Sequence, residues 1–201
     1  MRNKILAAIC LAMLAFAFNL AYWQELNDKM ESVQTVPLIL PHSGVDSFGD
    51  IFDNRVIIVN DAEMNCMVRN IYFEARNQSD EAMAAVGYII LNRVLSPRYP
   101  DTVCGVVYKG RKNPNGSYKR FQCHFSWVCD NKPDTPNLSN IIEAKAWERA
   151  ERIAMAVFSG TVENTIGKAT MYHATYVSPY WKKAYERVAV VDDHIFYQKR
   201  G

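Results

Sequence analysis

Between Ser79 and Val94 the chain reads SDEAMAAVGYIILNRV, and no charged side chain interrupts it from Ala84 to Leu91. A helix that is apolar on every side has no face to give to water, so other elements must enclose it. Ser79 or Asp80 supplies its N-cap, and Pro97 and Pro100 prevent its continuation. Two further helices are predicted. In DAEMNCMVRNIYFEAR the residues Met64, Met67, Val68, Ile71 and Ala75 follow amphipathic helical spacing, with Asp61 as the expected N-cap. NIIEAKAWERAERIAMAVFSG opens on an Asn140-x-x-Glu143 capping pattern and stops at Gly160.

After Gly160 the period changes. ATMYHA, RVAVV and HIFYQ are short β-rich runs, the last two separated by an Asp192-Asp193 turn, and RVIIV before the first helix is a further strand candidate. KGRKNPNGSYKR, from Lys109 to Arg120, reads as a loop of the kind that lies on a surface or borders a cleft. Helices first and strands last predict an α+β domain with a helical lobe and a small antiparallel sheet. At 201 residues and 49% apolar the chain has material for one good core but hardly two.

The ends of that domain are set by composition. Arg2 and Lys4 precede an apolar run from Ile5 to Trp23, broken by Asn19, so residues 1–23 are expected to be a signal peptide or a membrane anchor. Ala15 and Ala17 offer small residues for cleavage, whereas Ile9 ahead of Cys10 is a poor lipoprotein site. Residues 24–60 lack periodicity and read as a tether, leaving 61–201 as the catalytic domain. Without residues 1–23 the 23 Lys and Arg fall to 21, against 21 Asp and Glu. A neutral exported part gives no electrostatic case for nucleic acid, and its basic residues read as scattered over solvated surface.

Cys66, Cys104, Cys123 and Cys129 form an even set in a chain that reads as exported, which favours disulfides. Three pairings are open; the expected one joins Cys123 to Cys129 and Cys66 to Cys104. CHFSWVC lacks zinc-ligand spacing, and His124, His173 and His194 form no tight ligand pattern, so neither a metal nor a cofactor is expected.

The stretch NIYFEARNQ places Glu74 in the last turn of the first helix, behind Tyr72 and Phe73. The negative end of the helix dipole disfavours its charged form, and aromatics closing over it would do the same, with Arg76 opposing both if it reached the carboxylate. Read locally, Glu74 is first of all a helix-terminal surface charge, as most glutamates are.

Several blocks in order add to that local reading: IYFEAR at 71–76, LNRVLSPRYPDTVCGVVYKG at 91–110, FQCHFSWVCD at 121–130, AWERAERIA at 146–154, ATMYHATYVSPYW at 169–181 and HIFYQ at 194–198. In these the chain resembles the cell wall hydrolase family typified by the SleB spore cortex-lytic enzymes. The resemblance implies a lysozyme-like, SleB-type catalytic domain acting on peptidoglycan glycan strands. It also implies lytic transglycosylation between N-acetylmuramic acid and N-acetylglucosamine, with Glu74 as the catalytic acid. No second acid is singled out, and an enzyme of this kind is expected to work as a monomer, facing the wall from the periplasm or the inner membrane. Relatives commonly continue EARGE, where this chain has Asn77 and Gln78. That departure keeps a non-catalytic wall-binding module open as an alternative, beside amide-bond cleavage in the peptide stems.

Tyr172, His173, Tyr176, Tyr180 and Trp181 form an aromatic cluster. Core packing accounts for at least half of such a set. The sugar-binding reading selects His173 and Trp181, with Tyr172 and Tyr176 beside them, because flat rings stack on pyranose faces. Phe125, Ser126 and Trp127 are a weaker candidate for the cleft rim.

Overall fold

The computed structural model describes residues 36–38 and 57–200; the 1–23 segment and most of the 24–60 tether lie outside them. Strand β1 (Val36–Leu38) pairs antiparallel with β2 (Ile57–Val59). The strand expected near 55–59 therefore has a partner from within the stretch read as a tether. Ile57, 2% exposed, joins the domain core.

Helix α1 (Asp61–Ala75) is capped by Asn60, whose side chain accepts the Glu63 N–H at 2.9 Å. The expected cap, Asp61, sits instead in the first turn, where its charge faces the positive end of the dipole. Helix α2 (Asp80–Val94) begins at its Ser79 cap and buries nearly every residue from Ala82 to Val94. The enclosing elements are α1, α3 (Val103–Val107), α4 (Ile141–Ser159) and a sheet. Gly87 permits a close approach: a Cβ there would stand 3.0 Å from Val157 Cγ2 on α4 and 3.3 Å from Ile71 Cδ1 on α1. Cys66 and Cys104 bond α1 to α3, and Cys123 bonds to Cys129, as the expected pairing has it.

Asn140 caps α4 by accepting from the N–H groups of Ile142 and Glu143, and Gly160 at φ 66° closes the helix. The reciprocal half of the expected capping pattern does not form. Glu143 turns away from Asn140 and accepts the Tyr72 hydroxyl on α1 instead. The predicted loop at 109–120 is a hairpin, β3 (Gly110–Lys112) with β4 (Tyr118–Cys123). Its strands are short and largely exposed, so no apolar alternation marked them in the sequence.

Strands β5 (Met171–Ala174), β6 (Tyr185–Val191) and β7 (His194–Lys199) form an antiparallel sheet in the order β5-β7-β6. Tyr172 opposes Phe196 and Ala174 opposes His194, which puts these four on one face; Met171, His173, Ile195 and Tyr197 share the other. Among the described residues no helix is long and apolar enough to cross a membrane.

Candidate active site

The C-terminal turn of α1, the C-terminal turn of α2, edge strand β5 and the segment after β4 meet around one cleft of about 590 Å³. Its lining includes Glu74, Arg93, Tyr99, His124, Tyr172 and Trp181, and among the described residues Glu74 is its one carboxylate.

Glu74 reaches the cleft because α1 turns its other side to the core. Two turns of α1 bury Val68, Ile71, Tyr72 and Ala75, so the carboxylate emerges where β5 crosses the helix end. There the Tyr172 hydroxyl donates to Glu74 Oε2 at 2.6 Å. Burial pushes the Glu74 carboxyl above its ordinary range, against the Tyr172 hydrogen bond, the Arg93 charge and the Ser126 backbone N–H, which pull it down. The Tyr172 phenol is itself pushed up by burial and by its carboxylate neighbour, so it stays a donor. Such a carboxyl suits a proton donor near neutral pH, held in place by a hydrogen bond that strengthens once the proton has left.

The screening comes from other residues than the sequence suggested. Tyr72 faces α4, edge-on to Trp147 at 5.5 Å, and Phe73 stacks on Trp127 at 4.7 Å. Neither lines the cleft. Arg76 also points away: its guanidinium lies over the Tyr72 ring at 4.9 Å and 3.8 Å from Glu143. The cation that does act on Glu74 is Arg93, 5% exposed in the last turn of α2. Its Nε donates to the Thr170 carbonyl at 2.9 Å, and its guanidinium packs over Phe125 and Tyr99. Arg93 Nη1 is buried with no hydrogen-bond partner among the described residues. A lone arginine closing an otherwise apolar, enclosed helix is a signal visible in the sequence, because such a charge is kept only where something answers it.

His124 is a second residue that the sequence reading passed over. Its ring meets Tyr99 edge-on at 5.8 Å, and partial burial, with the Arg93 and Lys109 charges, pushes the imidazole down to about 4. It is therefore neutral over the working range of most enzymes.

The aromatic cluster is divided. Tyr172 is on the inner face of the sheet, stacked on Phe196, with its hydroxyl on Glu74. His173 lines the cleft but is buried, with Nδ1 2.8 Å from the Ala174 carbonyl and Nε2 2.9 Å from the Tyr197 hydroxyl. Both ring nitrogens are occupied by protein, so His173 contributes shape and holds Trp181, whose ring lies edge-on at 5.6 Å. Trp181 is half-buried on the cleft wall. Tyr176 and Tyr180, 85% and 91% exposed, do not line the cleft. Of the weaker candidates Ser126 lines it, while Phe125 and Trp127 are core residues.

Gln78 lies outside the cleft too. Its side chain donates to Asp193 at 3.1 Å and accepts the Asp193 N–H at 3.4 Å, while the Ser79 N–H donates to Asp192 at 2.6 Å. The departure from EARGE thus ties the α1–α2 junction to the β6–β7 turn.

Comparison with known proteins adds to this geometry. The fold is that of the catalytic domain of the germination-specific lytic transglycosylase SleB from Bacillus anthracis, at TM-score 0.50 and 21% identity over 70% of this chain and 97% of that one. The catalytic domain of the Bacillus cereus SleB protein superposes equally, over 76% and 100%. Among curated proteins, the spore cortex-lytic enzyme of Oceanobacillus iheyensis is 36% identical over 70 residues, and that of Halalkalibacterium halodurans 38% over 50. These stretches are 35% and 25% of this chain and only 25% and 15% of the relatives' own lengths. A family model described as cell wall hydrolase matches residues 77–197, beginning just after Glu74 and running through the cleft wall of β5 and the sheet, and the chain belongs to that family.

Proposed function

We propose that this chain cleaves the glycan strands of peptidoglycan as a lytic transglycosylase, with Glu74 as the catalytic residue. The observation that carries the reading is a single carboxylate, raised by burial, in a cleft lined by no second one among the described residues. Hydrolysis with two carboxylates needs a partner about 5 Å away for retention or about 6.5–9.5 Å for inversion. Transglycosylation needs one group used twice. Glu74 gives its proton to the glycosidic oxygen as the bond to the muramoyl C1 breaks, and N-acetylglucosamine leaves with that proton. The resulting carboxylate takes the proton from the muramoyl 6-hydroxyl, whose oxygen bonds to C1 and closes a 1,6-anhydro ring. Burial favours the acid half of this cycle, while Tyr172 and Arg93 hold the carboxylate in the other half. Trp181 supplies a flat wall for a pyranose ring.

Acting on the wall requires export. Residues 1–23 fit as the signal or anchor and the stretch after them as the tether, while the catalytic domain read at 61–201 takes in the β1–β2 strand pair as well and works as a monomer. Fractionation that found only full-length protein in the cytosol would refute that placement.

Mass spectrometry of the products of purified sacculi tests the chemistry. Muropeptides with anhydro ends are expected from the wild type and none from Glu74→Gln. Reducing ends would indicate hydrolysis, and new free amino groups would indicate amide cleavage.

A further inference from the structure

The formal net charge of the chain is only +2, yet five cations sit in one hairpin: Lys109, Arg111, Lys112, Lys119 and Arg120, with no acid between them. Four of these are exposed, and Lys119 is half-buried. Gly110 stands opposite Cys123 and Lys112 opposite Tyr118, so both strands contribute to one basic ribbon. Soluble surfaces ordinarily intersperse the two signs of charge. Here Lys112 lies over the Tyr118 ring at 5.2 Å and Arg120 over Phe121 at 4.5 Å. Among the described residues none of the five has a carboxylate within 4.0 Å. Phe121 is held at φ 57° and is 63% exposed. A bulky residue accepts that backbone only where its surroundings impose it.

The ribbon is fastened to the cleft. The His124 N–H donates to the Lys109 carbonyl at 2.8 Å, and His124 and Ser126 line the cavity. The Cys123–Cys129 disulfide and the close seat of Cys123 Sγ against Gly110 pin its base.

We propose that this hairpin is the docking surface for the carboxylates of the peptide stems that a peptidoglycan strand carries beside the cleft, an inference that rests on the reading of the cleft as a glycan site. The sugar backbone offers no charge to attract a basic ribbon. The stems hang from the muramoyl lactyl groups and bring free carboxylates at the spacing of the disaccharide repeat. Several exposed contacts, each weak alone, retain a polyanionic strand and lose their hold as salt rises. The ribbon would thus distinguish peptide-bearing wall from neutral polysaccharide.

Binding is measured by co-sedimentation of the full chain carrying Glu74→Gln, so the result stands whether or not cleavage occurs. The substrates are native sacculi and sacculi whose carboxylates are converted to neutral amides with carbodiimide and ethanolamine. Amidation is expected to weaken binding about tenfold, and R111Q/K112Q/K119Q/R120Q to weaken binding to native sacculi equally, with no further loss on amidated ones. Circular dichroism checks the fold, and the pairs R111Q/K112Q and K119Q/R120Q replace the quadruple variant if it unfolds. Unchanged binding of the variants to native sacculi overturns the proposal. So does a loss confined to phosphatidylglycerol vesicles, which would make the ribbon a lipid-binding device. Charge-dependent binding by a wild type that cleaves nothing supports the ribbon's role and refutes only the chemistry assigned to Glu74.

Discussion

Two tyrosine–glutamate pairs lean on helix α1, each with an arginine beside it. In the first, Tyr72 donates to Glu143 while Arg76 lies over the tyrosine ring and 3.8 Å from the same carboxylate. In the second, Tyr172 donates to Glu74 while Arg93 sits behind both. The side chains of Arg76 and Glu143 keep 34% and 31% of their exposure, so water shares the charge and the set works as a clamp between α1 and α4. The Glu74 set is drier: its carboxyl is pushed up, and Arg93 keeps a buried nitrogen with no hydrogen-bond partner among the described residues. The same three residue types make a surface fastening in one place and an ionisable site in the other, and the difference is access to solvent.

Glu74→Gln is the strongest test of that contrast. Strand cleavage measured by release of soluble muropeptides should fall about 10²–10⁴-fold, the usual weight of a general acid. Stability should move the opposite way. Because the folded-state carboxyl is raised above its unfolded value, the native state loses stability as pH climbs through the interval between the two. The variant escapes this loss, so its Tm should exceed that of the wild type at pH 7 and match it at pH 3. A lower Tm at both would mean that Glu74 is a structural residue.

Arg93→Met removes the charge that opposes burial. Activity should drop about 10- to 100-fold, with the alkaline limb of the pH profile displaced upward because the Glu74 carboxyl is raised further. Arg93→Lys, which keeps the charge, should restore part of both. Tyr172→Phe should cost about tenfold and shift the same limb upward, since the hydrogen bond it removes pulls the carboxyl down. An unchanged limb in both variants would separate Arg93 and Tyr172 from the ionisation of Glu74. Glu143→Gln, on the solvated side, should leave cleavage unchanged and cost less than about 1 kcal/mol in denaturant unfolding, because glutamine still accepts from Tyr72. A larger fall in activity than in Glu74→Gln would exchange the roles of the two pairs.

The helical lobe was readable residue by residue. Its signals are local, so the all-round apolar α2, the spacing of α1 and the stop at Gly160 all lie within single stretches. The caps show the limit of such reading: Asn60 rather than Asp61 starts α1, one residue from the expected position. The basic hairpin stayed hidden because exposed strands carry no apolar alternation.

Within the cleft, Glu74 was eligible from its place late in α1 beside aromatics, yet the aromatics named for it turned elsewhere and Arg76 went with them. What answers the carboxylate is Tyr172, 98 residues away, together with Arg93 at the end of α2. No periodicity links residues at that separation. They meet because burying α2 brings β5 across the helix ends.

The sequence by itself determined the three long helices, the C-terminal strands and the even cysteine set, because periodicity, caps and composition are properties of neighbours along the chain, and its ordered motif blocks singled out the Glu74 carboxylate. Only the tertiary structure decided which groups desolvate that carboxylate, which arginine faces it and which histidine is already spoken for. A pKa depends on the dielectric and the charges around an atom, and those belong to the folded surroundings rather than to the residue.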